Sequence, residues 1–337
     1  MPTFVRRQEI EHSIGPTGRL ALNATSSDVV FEAVDGATAR VEVEFELIAS
    51  TEADADALFE RVRFHARQGD GVLDVSEPKR GDTGIGSIAR MLGIGNVKAE
   101  TSIHVSAPRR ADVRYEGVSG DVTAEGFRGQ QEYRTVSGDL WLEGLGGSVQ
   151  VRGVSSDISI RADEPVALEA NTVSGDISAF APRFNDLRVV TVSGDVELEG
   201  ELAAASDHRV ETVSGDLSLG VSGGFTLEVR GLSTEASISI PHRAEGSRDR
   251  RRYVIGDGGA SMLFSSMSGD VTARPSRRYS EPAAPTPPAP PAAPTPPTPP
   301  RPPVGDDEQL EILRALEAGE IDVEEASRRL AGGPPNA

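Results

Sequence analysis

Between residues 118 and 275 apolar and polar positions alternate in short bursts, and nearly every burst follows an aspartate. The residues directly after these aspartates are Val122, Leu140, Ile158, Ile177, Val196, Leu217 and Val271. Two positions further on stand Ala124, Leu142, Ile160, Ala179, Leu198, Leu219 and Ala273. The residue between is polar (Thr123, Ser159, Ser178, Glu197, Ser218, Thr272), with Trp141 the exception. A period of two predicts a strand with one buried face. A second strand is predicted ahead of each aspartate, as in SVQVRGV (148–154), LRVVTV (187–192) and TLEVRGL (226–232). Segments such as EGLGG and RFND separate the two strands as turns.

The aspartates belong to a repeated tetrad. VSGD occurs at 118–121 and, extended to TVSGD, at 135–139, 172–176, 191–195 and 212–216. VSSD stands at 154–157, LSTE at 232–235 and MSGD at 267–270, in steps of 18, 18, 19, 19, 21, 19 and 35 residues. A unit of about 20 residues that cannot bury its apolar face alone must stack on its neighbours. The fold class expected is all-β, a β-solenoid or β-helix-like array of strand-turn-strand coils, with a meander of antiparallel sheets as the other geometry. The last step is close to two ordinary ones.

The tetrad itself reads as a corner. Gly120, Gly138, Gly175, Gly194, Gly215 and Gly269 supply backbone freedom. Asp121, Asp139, Asp157, Asp176, Asp195, Asp216 and Asp270 hold the turn through side-chain hydrogen bonds to backbone N–H groups. Stacked, they form a ladder of like charges, for which bridging calcium is the alternative reading.

Four regions follow. Residues 1–115 form a β entry and capping region, in which SSD at 26–28 marks a degenerate first coil and TEADADALFE a short helix. In the same region GIGSIARMLGIG (84–95) is an apolar insertion suited to capping a sheet end. Residues 116–275 form the solenoid. Residues 276–303 are a Pro-rich linker whose 281–303 stretch spans about 70 Å as an extended spacer. Residues 304–333 carry two short helices, with Leu310, Leu313, Leu316 and Leu330 as apolar contact positions. Two such helices bury too little surface to stand alone, so self-association or partner docking is expected through 306–331.

Composition narrows the function. The formal charge of −19 argues against nucleic acid as a partner. An arginine-rich stretch at 243–278 (Arg243, Arg248, Arg250, Arg251, Arg252, Arg274, Arg277, Arg278) reads as a solvated loop. There is no cysteine, hence no disulfide framework and no thiolate chemistry. The charged start MPTFVRRQEIEHSIG is no secretory leader, and no apolar run spans a membrane, so a cytoplasmic location, with envelope association through a partner, is expected. GVSGG (220–224) and GIGSIA (84–89) match nucleophile-elbow and dinucleotide patterns without the flanking elements those sites need. His12, His65, His104, His208 and His242 have no metal spacing and read as surface or strand residues.

The SGD-punctuated strands, the entry IHVSAP and the ending GGASMLFSSMSGDVTA resemble the bacterial "putative adhesin" family of β-strand-repeat proteins over roughly 15–275. The tail resembles the bihelical SHOCT-like module, with AGEI and VEEA at its turn and second helix. In LiaX-type cell-envelope stress proteins such modules accompany a similar β-domain, at the opposite end of the chain. The resemblance implies no catalytic residue and no cofactor. The expected function is a non-catalytic scaffold or binding protein; the rival is a parallel β-helix that binds or cleaves polysaccharide, for which near-constant steps leave little loop length to wall a cleft.

Overall fold

The structure, a computed structural model, describes residues 2–78, 98–204, 206–247 and 250–276. The linker beyond Ser276, the apolar insertion and the tail expected to be helical, with Leu310, Leu313, Leu316 and Leu330, lie outside the described residues.

The repeats build a solenoid of parallel strands. In one stack, the strands that precede the tetrads pair in parallel with their counterparts, Gln131 beside Val113 and Val149, Val151 beside Ala170, Val189 beside Val210. In the other, the strands that follow the tetrads do the same, Leu140 beside both Val122 and Ile158, and Ile177 beside Val196. Parallel pairing throughout the repeats decides for the solenoid over the meander. The core lies between the stacks: every member of the two apolar columns following the aspartates is buried, while Trp141 is 41% exposed.

Three strands differ from expectation. Leu140–Arg152, Ile158–Asn171 and Ile177–Val190 each run unbroken from one stack into the other, with register shifts where EGLGG and RFND stand. Neighbouring coils bend together, so backbone pairing continues through the bend and no separate turn is needed. Gly144 and Gly147, at φ 61° and 76°, give Leu140–Arg152 its bend.

Both ends of the array are out of chain order. Arg19–Ser26 lies between Val72–Ser76 and Asp112–Ser119, and Asp28–Val34 between Lys98–Pro108 and Val122–Glu125. The SSD segment is thus the first rung of the tetrad ladder. At the other end the long step of 35 residues does not hide an extra coil. Phe225–Ser233 takes the outer slot, with a hairpin of His242–Ser247 and Arg250–Ile255 on its free side. The chain then returns, and Ala260–Ser268 fills the slot between Asp207–Glu211 and Phe225–Ser233. Antiparallel strands extend the other end too, Thr3–Ser13 on Thr38–Ile48 and His65–Gly69 on Val72–Ser76. The helix Glu52–Val62, N-capped by Thr51, buries Ala55 and Leu58.

Near this end Phe31 meets Tyr115 and Tyr133 edge-on, with centroids 5.9 and 6.1 Å apart. Neither phenol hydroxyl has a hydrogen-bond partner among the described residues. Burial pushes the Tyr115 phenol up to about 12, the nearby Asp28 carboxylate adding to it, and burial raises Tyr133 as well. A phenol raised above its unfolded value near 10 favours folding fully below pH ~10, and that contribution is lost as pH climbs through the folded value. Stability should therefore fall between about pH 10 and 12, and Tyr115→Phe should flatten that limb of a melting-versus-pH curve. Tyr133→Phe, which removes an unpaired buried hydroxyl, should stabilise by up to about 1 kcal/mol in a denaturant titration.

Candidate interaction site

The tetrads stack into one edge of the solenoid, and each of their positions does something different there. The serine N–H groups hold the coils in register. Those of Ser137, Ser155, Ser174, Ser193, Ser214 and Ser268 donate to the carbonyls of Val118, Val136, Val154, Val173, Val192 and Val213 at 2.8–3.0 Å.

Glycine is required by close approach. A Cβ on Gly120, Gly138, Gly175, Gly194, Gly215 or Gly269 would sit 2.1–2.3 Å from a carbonyl oxygen of the adjacent coil. No side chain fits that gap at these six positions. Ser156 stands at the equivalent position of its tetrad, and its N–H donates to Ser174 O at 3.0 Å as that of Gly175 does to Ser193 O at 3.3 Å.

The aspartates form a continuous relay. The N–H of Asp121 donates to Oδ1 of Asp28, Asp139 to Asp121, Asp157 to Asp139 and Asp176 to Asp157, at 2.9–3.1 Å. Asp195, Asp216, Asp270 and finally Glu235 continue it at 2.8–2.9 Å. Carboxylates one strand spacing apart, ~4.8 Å, repel by roughly 1 kcal/mol per neighbouring pair in a water-like medium. A hydrogen bond to a charged acceptor contributes about 1.5–3 kcal/mol, so each rung is held despite the repulsion. Among the described residues no group of three or more His, Asp or Glu side chains is arranged to hold a metal ion.

The remaining position is the first of each tetrad, the last residue of the strand predicted ahead of it, as at Val154, Val192 and Leu232. Val118, Val136, Val154, Val173, Val192, Val213, Met267 and Leu232 point outward and are 43–86% exposed. They account for eight of the eleven exposed large apolar residues among those described, so they form a pattern and not scatter. At one strand spacing per rung the column is roughly 34 Å long. The signal was present: Val149 and Val151 face the core, and continuing their period of two puts Arg152 and Val154 outside.

The outward face of the stack preceding the tetrads is polar. It holds two adjoining shallow hollows of about 460 and 510 Å³, which share Arg19 and Arg114. Asp112, Glu132 and Glu169 line the first. Burial works to raise Glu169, but hydrogen bonds from Gln150 and Asn171 and the charges of Arg152 and Arg188 outweigh it and hold the carboxyl below its usual range.

The arginine-rich stretch is partly consumed by structure. Arg274 pairs with Glu197 and Glu199, Arg243 with Glu245, and Arg251 donates to the Thr234 carbonyl. His208 is a buried strand residue whose Nε2 lies 2.9 Å from Ala203 O. No helix among the described residues is long and apolar enough to cross a membrane.

A family model described as Toastrack DUF4097 matches residues 17–274. No curated protein matches the chain. Among solved structures, a "putative adhesin" from Bacteroides fragilis is 13% identical, covering 80% of this chain and 97% of its own, with a TM-score of 0.32. A "putative cell adhesion protein" from Clostridium sporogenes is 11% identical, covering 80% and 99%, at a TM-score of 0.27. A "putative lipid binding protein" from Parabacteroides distasonis is 12% identical, covering 80% and 96%, at 0.28.

Proposed function

The chain belongs to the Toastrack DUF4097 family, and from that premise we propose that it is a non-catalytic β-repeat scaffold that binds a protein partner through its tetrad edge. The exposed apolar column carries this reading. Leaving eight large apolar side chains in water along one line gains nothing for the fold, whereas a partner that covers them gains about 25 cal/mol per Å² of apolar surface removed from water. The tail, which the sequence alone predicts to be helical, is assigned as a second contact module through Leu310, Leu313 and Leu316. Work at the cell envelope, reached through a partner, is the setting that suits such a protein.

The triple variant Val154→Ser, Val173→Ser, Val192→Ser tests the reading. These side chains are exposed, so melting should change by less than about 1 kcal/mol equivalent. Partner capture from native lysate by the full-length protein should fall at least tenfold. Capture that persists undiminished counts against the edge; capture lost only on removing 304–337 moves the activity to the tail.

A second reading, binding of a linear polysaccharide, is favoured by the polar hollows that run across adjacent strands. Hexasaccharide titration against Gln150→Ala and Arg114→Ala variants distinguishes it.

A further inference from the structure

We propose that the occupant of the apolar edge is a second copy of this chain, related by a two-fold axis running along the column so that each rung faces itself. This deepens the protein-binding reading above and rests on it.

The first argument is pitch. Successive apolar side chains are one strand spacing apart, ~4.8 Å, because backbone hydrogen bonds lock the rungs. A helix presents one face every ~5.4 Å, so it slips by half a rung within about four turns. Alternate residues of a strand recur at about 6.8 Å and match worse. Another ladder of the same pitch stays in register for all eight rungs, and every copy of this chain carries one.

The second argument is charge. On one flank of the column runs the acidic relay. On the other, two residues before the apolar side chain, stand Arg134, Arg152 and Arg230 at three rungs, Glu116 and Glu211 at two, and the uncharged Asn171, Val190 and Ser265 at the remaining three. A two-fold axis along the column puts the acidic flank of one copy against the opposite flank of the other. Asp139 then faces Arg134 of the second copy, Asp157 faces Arg152, and Glu235 faces Arg230. Two rungs bring acids together, Asp121 with Glu116 and Asp216 with Glu211. The flank is also paired within its own chain, Glu116 with Arg114 at 2.6 Å and Glu211 with Arg209 at 3.0 Å. Likewise Arg134 pairs with Glu132, Arg152 with Glu169 at 3.5 Å and Arg230 with Glu228 at 2.7 Å, so the flank is close to neutral and the acidic relay meets no run of like charge there. A two-fold axis perpendicular to the column and lying in the contact plane would instead set one acidic relay against the other. The charge pattern therefore selects the parallel arrangement, and a closed isologous pair results.

The absence of cysteine from the sequence makes the test direct. Full-length single-cysteine variants Val136→Cys, Val173→Cys and Val213→Cys are oxidised mildly at equal concentration, with the exposed Asp163→Cys as control. Each ladder variant should form disulfide-linked homodimers at least tenfold faster than the control. Sedimentation of cysteine-free Val173→Asp should show a monomer where the unaltered chain is a dimer, with an unchanged circular-dichroism melt. Ladder variants that link no faster than the control overturn the proposal. So does linkage only in a mixture of Val136→Cys with Met267→Cys, which face each other when the two ladders run in opposite directions. If the chain is monomeric yet the triple serine variant still loses partner capture, the protein-binding reading stands and the second copy is excluded as its occupant.

Discussion

Gly194→Val should lower the melting temperature by roughly 10 °C, corresponding to about 3–5 kcal/mol for a β-domain of this size. The cause lies in the neighbouring coil. A Cβ at 194 would sit 2.1 Å from the carbonyl oxygen of Gly175, a backbone atom that cannot swing aside. Relieving the overlap means separating two coils whose register is fixed by Ser193 N–H to Val173 O and Asp195 N–H to Asp176 Oδ1. Gly69→Ala is the matched control: its Cβ would meet only the Val72 Cβ, at an ordinary 3.8 Å. Equal melting of the two variants would refute the close-approach role of the glycine column.

Arg274→Ala should cost about 3–5 kcal/mol, the range for breaking a buried ion pair. Arg274 lies in the strand Val271–Pro275 and reaches across to Glu197 at 3.0 Å and Glu199 at 3.7 Å. The Glu199 side chain is only 4% exposed, so its charge depends on neighbours and not on water. Ser276 Oγ, donating at 3.0 Å, is among the contacts that remain, but a hydroxyl does not replace a guanidinium. Since Val271–Pro275 is the last strand of the chain's return path, its loosening should expose Leu217–Ser222 beside it. Urea titration checks the magnitude. Adding Glu199→Gln to Arg274→Ala should recover part of the loss, and a strictly additive double variant would speak against the pair.

The strand-turn-strand period, the buried columns and the stacking of the tetrads were legible because they are local. Each follows from a period of two and a fixed spacing, and Leu142, Ile160 and Leu198 are buried where that period puts them. The order of the end coils was not. MSGD and LSTE carry the same strand pattern, and nothing local tells which of them stacks on Gly215. That choice is made by non-local pairing, the hairpin 242–255 closing one side of Phe225–Ser233 and leaving the other to the returning strand. The apolar edge is hidden in the sequence for another reason. Valine before a turn is expected inside, yet in TVSGD it is Thr135, Thr172, Thr191 and Thr212 that are buried while the adjacent valine faces water. A buried threonine beside an exposed valine is the inverse of what hydrophobicity alone dictates.

The claim on which the rest stands is that each aspartate carboxylate holds the next coil's amide, which makes the edge continuous. Amide hydrogen exchange of Asp157→Ala, followed residue by residue, tests it most directly. Oδ1 of Asp157 accepts the Asp176 N–H at 2.9 Å, while the Asp157 N–H itself donates to Asp139. Removing the carboxylate should accelerate exchange at Asp176 by at least tenfold and leave Asp139 and Asp216, one rung or more beyond, at their original rates. Unchanged exchange at Asp176, or a uniform acceleration along the whole column, would contradict the relay.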